Sequence, residues 1–112
     1  MFKGLINFII DNKLDILYIA DSYGSLTQKQ IKYYTEFFCN KLVDTSVVLH
    51  LHNNMNIAFG NFEYLTNLNN VSQKDIFIDS TLFGMGRGAG NLQTELVIIN
   101  LYPNIEFTIL HL

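Results

Sequence analysis

Charge is what this 112-residue sequence has least of: 15% of its residues are Asp, Glu, Lys or Arg, against 49% apolar. A chain this small has a high surface-to-volume ratio and needs polar surface, so the balance implies that something covers part of the apolar excess. Positive charge is scarce and dispersed. Lys3, Lys13, Lys29, Lys32, Lys41 and Lys74 are scattered, Arg87 is the single arginine, and the net charge is −3. That leaves no basic stripe to follow a phosphate backbone, and a nucleic-acid partner is excluded. Cysteine is nearly absent too: Cys39 alone cannot close an internal disulfide and reads as a buried structural thiol of a reducing compartment, the cytoplasm. Long apolar runs are missing. The N-terminal Phe2 to Ile10 segment is interrupted by Asn7, is too short to span a bilayer and is followed by no small-residue cleavage site, so no membrane association is expected. With no linker, repeat or low-complexity tract, residues 1–112 are expected to form one domain.

What is there alternates between two periodicities. The segment Leu5, Phe8, Ile9 suggests an N-terminal helix presenting those residues on one face. Leu14 to Ala20 is an apolar strand ended by the turn Asp21-Ser22-Tyr23-Gly24. Thr27 and Gln30 form a capping box, and Ile31, Tyr34, Phe37, Phe38 and Leu42 follow at helical spacing, which predicts a helix from Gln28 to Leu42. Thr45 to His52 is a second strand, Met55 to Leu68 a helix, Asp75 to Asp79 a third strand, and Leu92 to Tyr102 a helix stopped before Pro103. Strands alternating with helices of this length predict an α/β fold of parallel β/α units.

Three polar clusters fall at the carboxyl ends of the predicted strands, where parallel β/α folds place their ligand groups: Asp21-Ser22, His50-Leu51-His52-Asn53 and Asp79-Ser80-Thr81. Alternation puts His50, His52 and Val48 on one side of their strand and Val47, Leu49 and Leu51 on the other. Two imidazoles so arranged can grip one divalent metal, or they can be a pair of hydrogen-bonded strand histidines; the spacing alone leaves both open. Asp21 and Asp79 have the same double reading, because aspartate also caps turns. The run Gly84-Met85-Gly86-Arg87-Gly88-Ala89-Gly90-Asn91 lacks dinucleotide-binding spacing and an acidic ribose partner, and is read instead as a flexible active-site loop whose backbone closely approaches a ligand.

His-x-His-Asn-Asn opening a helix, Asp79-Ser80-Thr81 ending an apolar strand, and the alternating glycines closed by Asn91 and followed by Thr94-Glu95-Leu96 resemble, in order and spacing, the pyruvate-aldolase and acyl-CoA-lyase superfamily of metal-dependent barrels, the HMG-CoA lyase-like proteins. The wording from Asp79 to Asn91 is most similar to the 4-hydroxy-2-oxovalerate aldolase branch; the synthases usually have Glu-Gly-Thr at Asp79-Ser80-Thr81. The resemblance implies a TIM barrel, the (β/α)8 fold, of which this chain is a partial copy from the C-terminal half: Leu14 to Asp21 as the fifth strand, the His-x-His strand as the sixth, the Asp-Ser strand as the seventh and the helix after it. A closed barrel takes about 250 residues, so the first four strands are missing. With them is missing an Asp-x-Arg-Asp/Glu signature that gives the family its third metal ligand and an enolate-stabilising arginine, and Arg87, in the glycine loop, does not replace it.

By the same resemblance His50, His52 and Asn91 are metal ligands, for Mn²⁺, Mg²⁺ or Co²⁺ because thiolates are absent. Ser22 is a contact for a substrate carboxylate, though it reads equally as a turn residue. The implied chemistry is carbon–carbon bond cleavage or formation through a metal-bound pyruvate enolate, on a small-molecule 2-oxoacid. The implied partner is the missing half of the barrel or a second copy of the chain. Two other readings stand beside this one: a catalytically inactive half-barrel that docks on a partner, and an α/β binding domain whose histidines hold no metal.

Overall fold

The computed structural model describes residues 2–67 and 75–104. Among these described residues four α-helices and three strands alternate: α1 Lys3–Asp11, β1 Ile16–Asp21, α2 Gln28–Lys41, β2 Ser46–Leu51, α3 Ala58–Asn67, β3 Ile76–Asp79 and α4 Thr94–Leu101. A short 3-10 turn, Leu82–Gly84, opens the connection from β3 to α4. The strands form one parallel sheet in the order β1-β2-β3, with Ile16 opposite Ser46, Ala20 opposite His50 and His50 opposite Asp79. Parallel neighbours need crossover connections, and α2 and α3 supply them. The fold is therefore α/β with parallel β/α units, as expected from the sequence.

Local chemistry accounts for most boundaries. The Thr27 hydroxyl accepts from the Gln30 backbone N–H at 3.3 Å while the Gln30 side chain accepts from the Thr27 N–H at 2.9 Å, so the predicted capping box starts α2. At α3 the expected start at Met55 is corrected to Ala58. Asn56 is left-handed, with φ +58, which no helix interior tolerates, and the Asn53 carboxamide oxygen accepts from the Ala58 N–H at 3.1 Å, satisfying one of the free donors at the new start. The predicted end of that helix at Leu68 lies outside the described residues.

The buried layer lies between the helices and one face of the sheet. Val47, Leu49 and Leu51 of β2 are at most 1% exposed. Ile6 and Ile9 of α1, with Phe38 and Cys39 of α2, pack around Val47; Ile31 of α2, with Ala58, Phe62 and Leu65 of α3, packs around Leu49 and Leu51. The face of α1 is thus corrected as well: Ile6 and Ile9 turn inward, while Leu5 and Phe8 are exposed.

Among the described residues nothing covers the opposite face of the sheet. Ile16, Tyr18 and Phe77 each remain 54–55% exposed, and around Val48 they line an open depression of about 360 Å³ that reaches Asp79. All-parallel sheets are ordinarily covered on both faces, so this bare apolar face is where the excess apolar composition resides. Among the described residues no helix is long and apolar enough to cross a membrane.

Candidate functional site

The three strands end side by side, and their carboxyl ends gather the polar clusters. His50 is on the uncovered face, opposite Ala20 on one side and Asp79 on the other. His52 follows one residue past β2, and the two rings stand 5.0 Å apart between centroids at 79°, as strand alternation requires. His50 Nδ1 lies 3.3 Å from Asp79 Oδ2.

Asn91 reaches the same place from the far end of the glycine loop. It forms an antiparallel bridge with His52, and residues opposite one another in such a bridge direct their side chains to the same face. Its amide Nδ2 donates to the Met85 carbonyl at 3.2 Å, whereas its Oδ1 is buried and has no hydrogen-bond partner. A buried oxygen left this way costs about 1–3 kcal/mol and calls for a cation or a donor. The loop is built around this placement. A Cβ on Gly86 would overlap the Asn91 carboxamide, and one on Gly90, at φ +88, would run into the Gly84 carbonyl. The loop is also tied down more than its glycines suggest: the Asn91 N–H donates to Gly84 O at 2.9 Å, Asn53 N–H to Gly90 O at 2.8 Å and Leu92 N–H to Leu51 O at 3.0 Å.

The structure therefore brings together His50, His52 and Asn91. Ser22 sits one strand over, exposed, in the turn closed by the Gly24 N–H on the Asp21 carbonyl at 3.0 Å. Asp21 turns out to be structural: its buried carboxylate accepts from the backbone N–H groups of Ser25 and Leu26 at 3.0 and 3.2 Å. Among the described residues no three of His, Cys, Asp and Glu converge as a metal-binding group; what the strand ends gather is two imidazoles and one amide oxygen. Two imidazoles and an oxygen donor suit a borderline divalent ion, and the unpartnered Asn91 oxygen fits one.

Asn54 was part of the His-x-His-Asn-Asn motif but had no role of its own in the sequence. Its Nδ2 donates to Tyr23 O at 3.3 Å and its Oδ1 accepts from the Ala89 N–H at 3.2 Å, so one side chain ties together the loops after β1, β2 and β3. The only signal was the doubled asparagine after the His-x-His pair. Glu95, named in the sequence only as part of the pattern after the glycine loop, is 8% exposed, with Oε2 lacking a hydrogen-bond partner.

The chain as a whole is similar to known proteins. A 4-hydroxy-2-oxovalerate aldolase of Carboxydothermus hydrogenoformans is 36% identical over 84 residues, covering 75% of this chain and 23% of that protein. An oxaloacetate decarboxylase of Mycobacterium tuberculosis is 35% identical over 86 residues, covering 77% and 24%. The crystal structure of the N-terminal domain of a candidate aldolase from Bacteroides vulgatus superposes with a TM-score of 0.70 at 29% identity, over 95% of this chain and 35% of that one. The chain thus spans about a quarter of the length of these curated relatives. The HMGL-like family model matches residues 6–107, nearly the whole sequence, and the chain belongs to the HMGL-like family.

Proposed function

We propose that this chain is one partial domain, three β/α units corresponding to the fifth to seventh strands of a divalent-metal-dependent aldolase barrel, and that His50, His52 and Asn91 hold the ion. The observation that carries this reading is the buried, unpartnered Asn91 Oδ1, bridged to His52, whose ring stands 5.0 Å from that of His50. Coverage of 35% of the solved aldolase domain supports the strand count, being close to the three-eighths that three units make of an eight-unit barrel.

When bound, Mn²⁺, Mg²⁺ or Co²⁺ supplies Lewis-acid polarisation of a 2-oxo carbonyl. The protein groups do the rest. The two imidazoles and the Asn91 oxygen bind and orient, the glycine loop lets the backbone approach closely, and Ser22, at the end of the neighbouring strand, contacts the substrate carboxylate. The reaction class is aldol cleavage or formation on a 4-hydroxy-2-oxoacid. An anionic ligand and an arginine for the developing negative charge come from the remaining barrel units, of different sequence; a second copy of this chain could cover the bare sheet face but would not bring those two groups. Edge strands β1 and β3 and the bare apolar sheet face support that docking. The buried Cys39 thiol is compatible with a cytoplasmic setting.

Alone, the chain is an inactive half-barrel, because the charge that develops during cleavage is only partly met. The test is thermal. Mn²⁺ or Co²⁺ at about a hundred times its Kd should stabilise the folded chain by about 2.7 kcal/mol through linkage, seen as a raised Tm. Replacing His50 and His52 together by alanine should abolish the shift. An unchanged shift in that double variant rules the assignment out.

A further inference from the structure

We infer that Asp79 is a positioning residue for His50: its carboxylate holds the proton on Nδ1 and so presents Nε2 of the ring to the metal. This rests on the metal-site reading above and adds to it a residue that the ligand set does not contain.

The placement follows from the register. Asp79 is the last residue of β3 and stands opposite His50 of β2, on the uncovered face of the sheet, with Oδ2 3.3 Å from Nδ1. A neutral imidazole carries one N–H, and the nitrogen that carries it is decided by the hydrogen bond that nitrogen makes. An ionised carboxylate accepts and cannot donate, so beside Asp79 the proton belongs on Nδ1. Nε2 is then the free lone pair and the ligand atom.

A carboxylate this close to one histidine could instead be a third ligand, and the geometry argues against it. A ligand oxygen would converge with both His50 and His52, whereas no such trio of His, Cys, Asp and Glu exists among the described residues. The Asp79 oxygen sits on the Nδ1 edge, and a nitrogen bonded to a carboxylate is not offered to a metal. Carboxylate partners of this kind orient metal-bound histidines and raise their basicity. The strand end that carries Asp79 is itself fixed, because the next residue, Ser80, accepts from the Thr94 hydroxyl at 2.8 Å and ties β3 to α4.

The experiment pairs two readouts on the full chain. Calorimetric titration with Mn²⁺ should show roughly a 10- to 100-fold weaker affinity for Asp79→Ala than for the parent. Asp79→Asn, whose amide oxygen can still accept from Nδ1–H, should lose less. Nitrogen-15 spectra of the metal-free chain, at a pH where the ring is neutral, should show His50 with its proton on Nδ1 in the parent and moved to Nε2 in Asp79→Ala. The metal-free Tm of both variants should stay near the parent's; if Asp79→Ala fails to fold, the Asp79→Asn titration and spectra decide. Affinity in the variants within twofold of the parent, or a parent His50 protonated on Nε2, overturns the role of Asp79 while leaving the metal site standing. A parent that binds no Mn²⁺ overturns the metal-site reading, and this inference with it.

Discussion

Asn91 donates its amide hydrogen to the Met85 carbonyl and keeps its oxygen for something else. If that something is a divalent ion, the neutral donor set is short of negative charge, and Asn91→Asp should bind Mn²⁺ roughly tenfold more tightly, since ligand charge is what tunes affinity for hard cations. Asn91→Ala should bind more weakly than the parent. Equal affinities of all three in a calorimetric titration would remove Asn91 from the site. At this scale the sequence was partly readable. The shared side of His50 and His52 follows from strand alternation alone, and Asn91 came from its position at the end of the glycine run in a recognised family pattern. The contact between His50 and Asp79 and the loop-tying role of Asn54 were hidden, because each joins segments whose alignment depends on sheet register and loop closure. Asp21 and Asp79 looked alike as strand-ending aspartates; one proved to cap a turn with two backbone N–H groups, the other to face a histidine.

Elements were more legible than contacts. The capping box at Thr27 and Gln30 was visible as letters and is present as bonds, and all three strands appear within the segments expected. The departures have local causes. Asn56 adopts a left-handed conformation that delays α3 by most of a turn, and helical spacing at α1 fits two overlapping faces, of which packing against Val47 selects the one bearing Ile6 and Ile9. The connection from β3 to α4 is constrained by close backbone approaches and by positive φ at Phe83, Gly84, Gly88 and Gly90. Gly90→Ala would combine a positive φ with a Cβ driven into the Gly84 carbonyl, and should destabilise the chain by about 1–3 kcal/mol from backbone strain alone. The variant should also lose its Mn²⁺-induced Tm shift, because Asn91 follows directly. A Gly90→Ala chain with unchanged melting and metal response would show that the loop does not position Asn91. In the central strand, Leu49→Ala should cost about 2–5 kcal/mol in denaturant unfolding, since Leu49 is fully buried under α2 and α3; a loss below 1 kcal/mol would contradict the core described.

As a whole, the molecule is a two-layer wedge with one face finished and one bare. Tyr18 and Phe77 flank Val48 on the bare face, each about half exposed, and among the described residues β1 and β3 are the edges of the sheet, where unpaired backbone invites association. The isolated chain should therefore self-associate or capture the complementary barrel units. Replacing Tyr18 and Phe77 by serine should reduce association in light scattering without lowering Tm; a parent that is strictly monomeric at high concentration would contradict the proposed docking face. The low charge content had signalled that apolar surface needed covering, but the face that holds it emerges only once three strands are in register. The most direct test of the central claim is pulsed electron paramagnetic resonance of Mn²⁺ bound to the full chain. The account predicts two coordinated imidazole nitrogens, lost together in the variant with His50 and His52 both replaced by alanine; a bound Mn²⁺ with no imidazole nitrogen in its coordination sphere would contradict it.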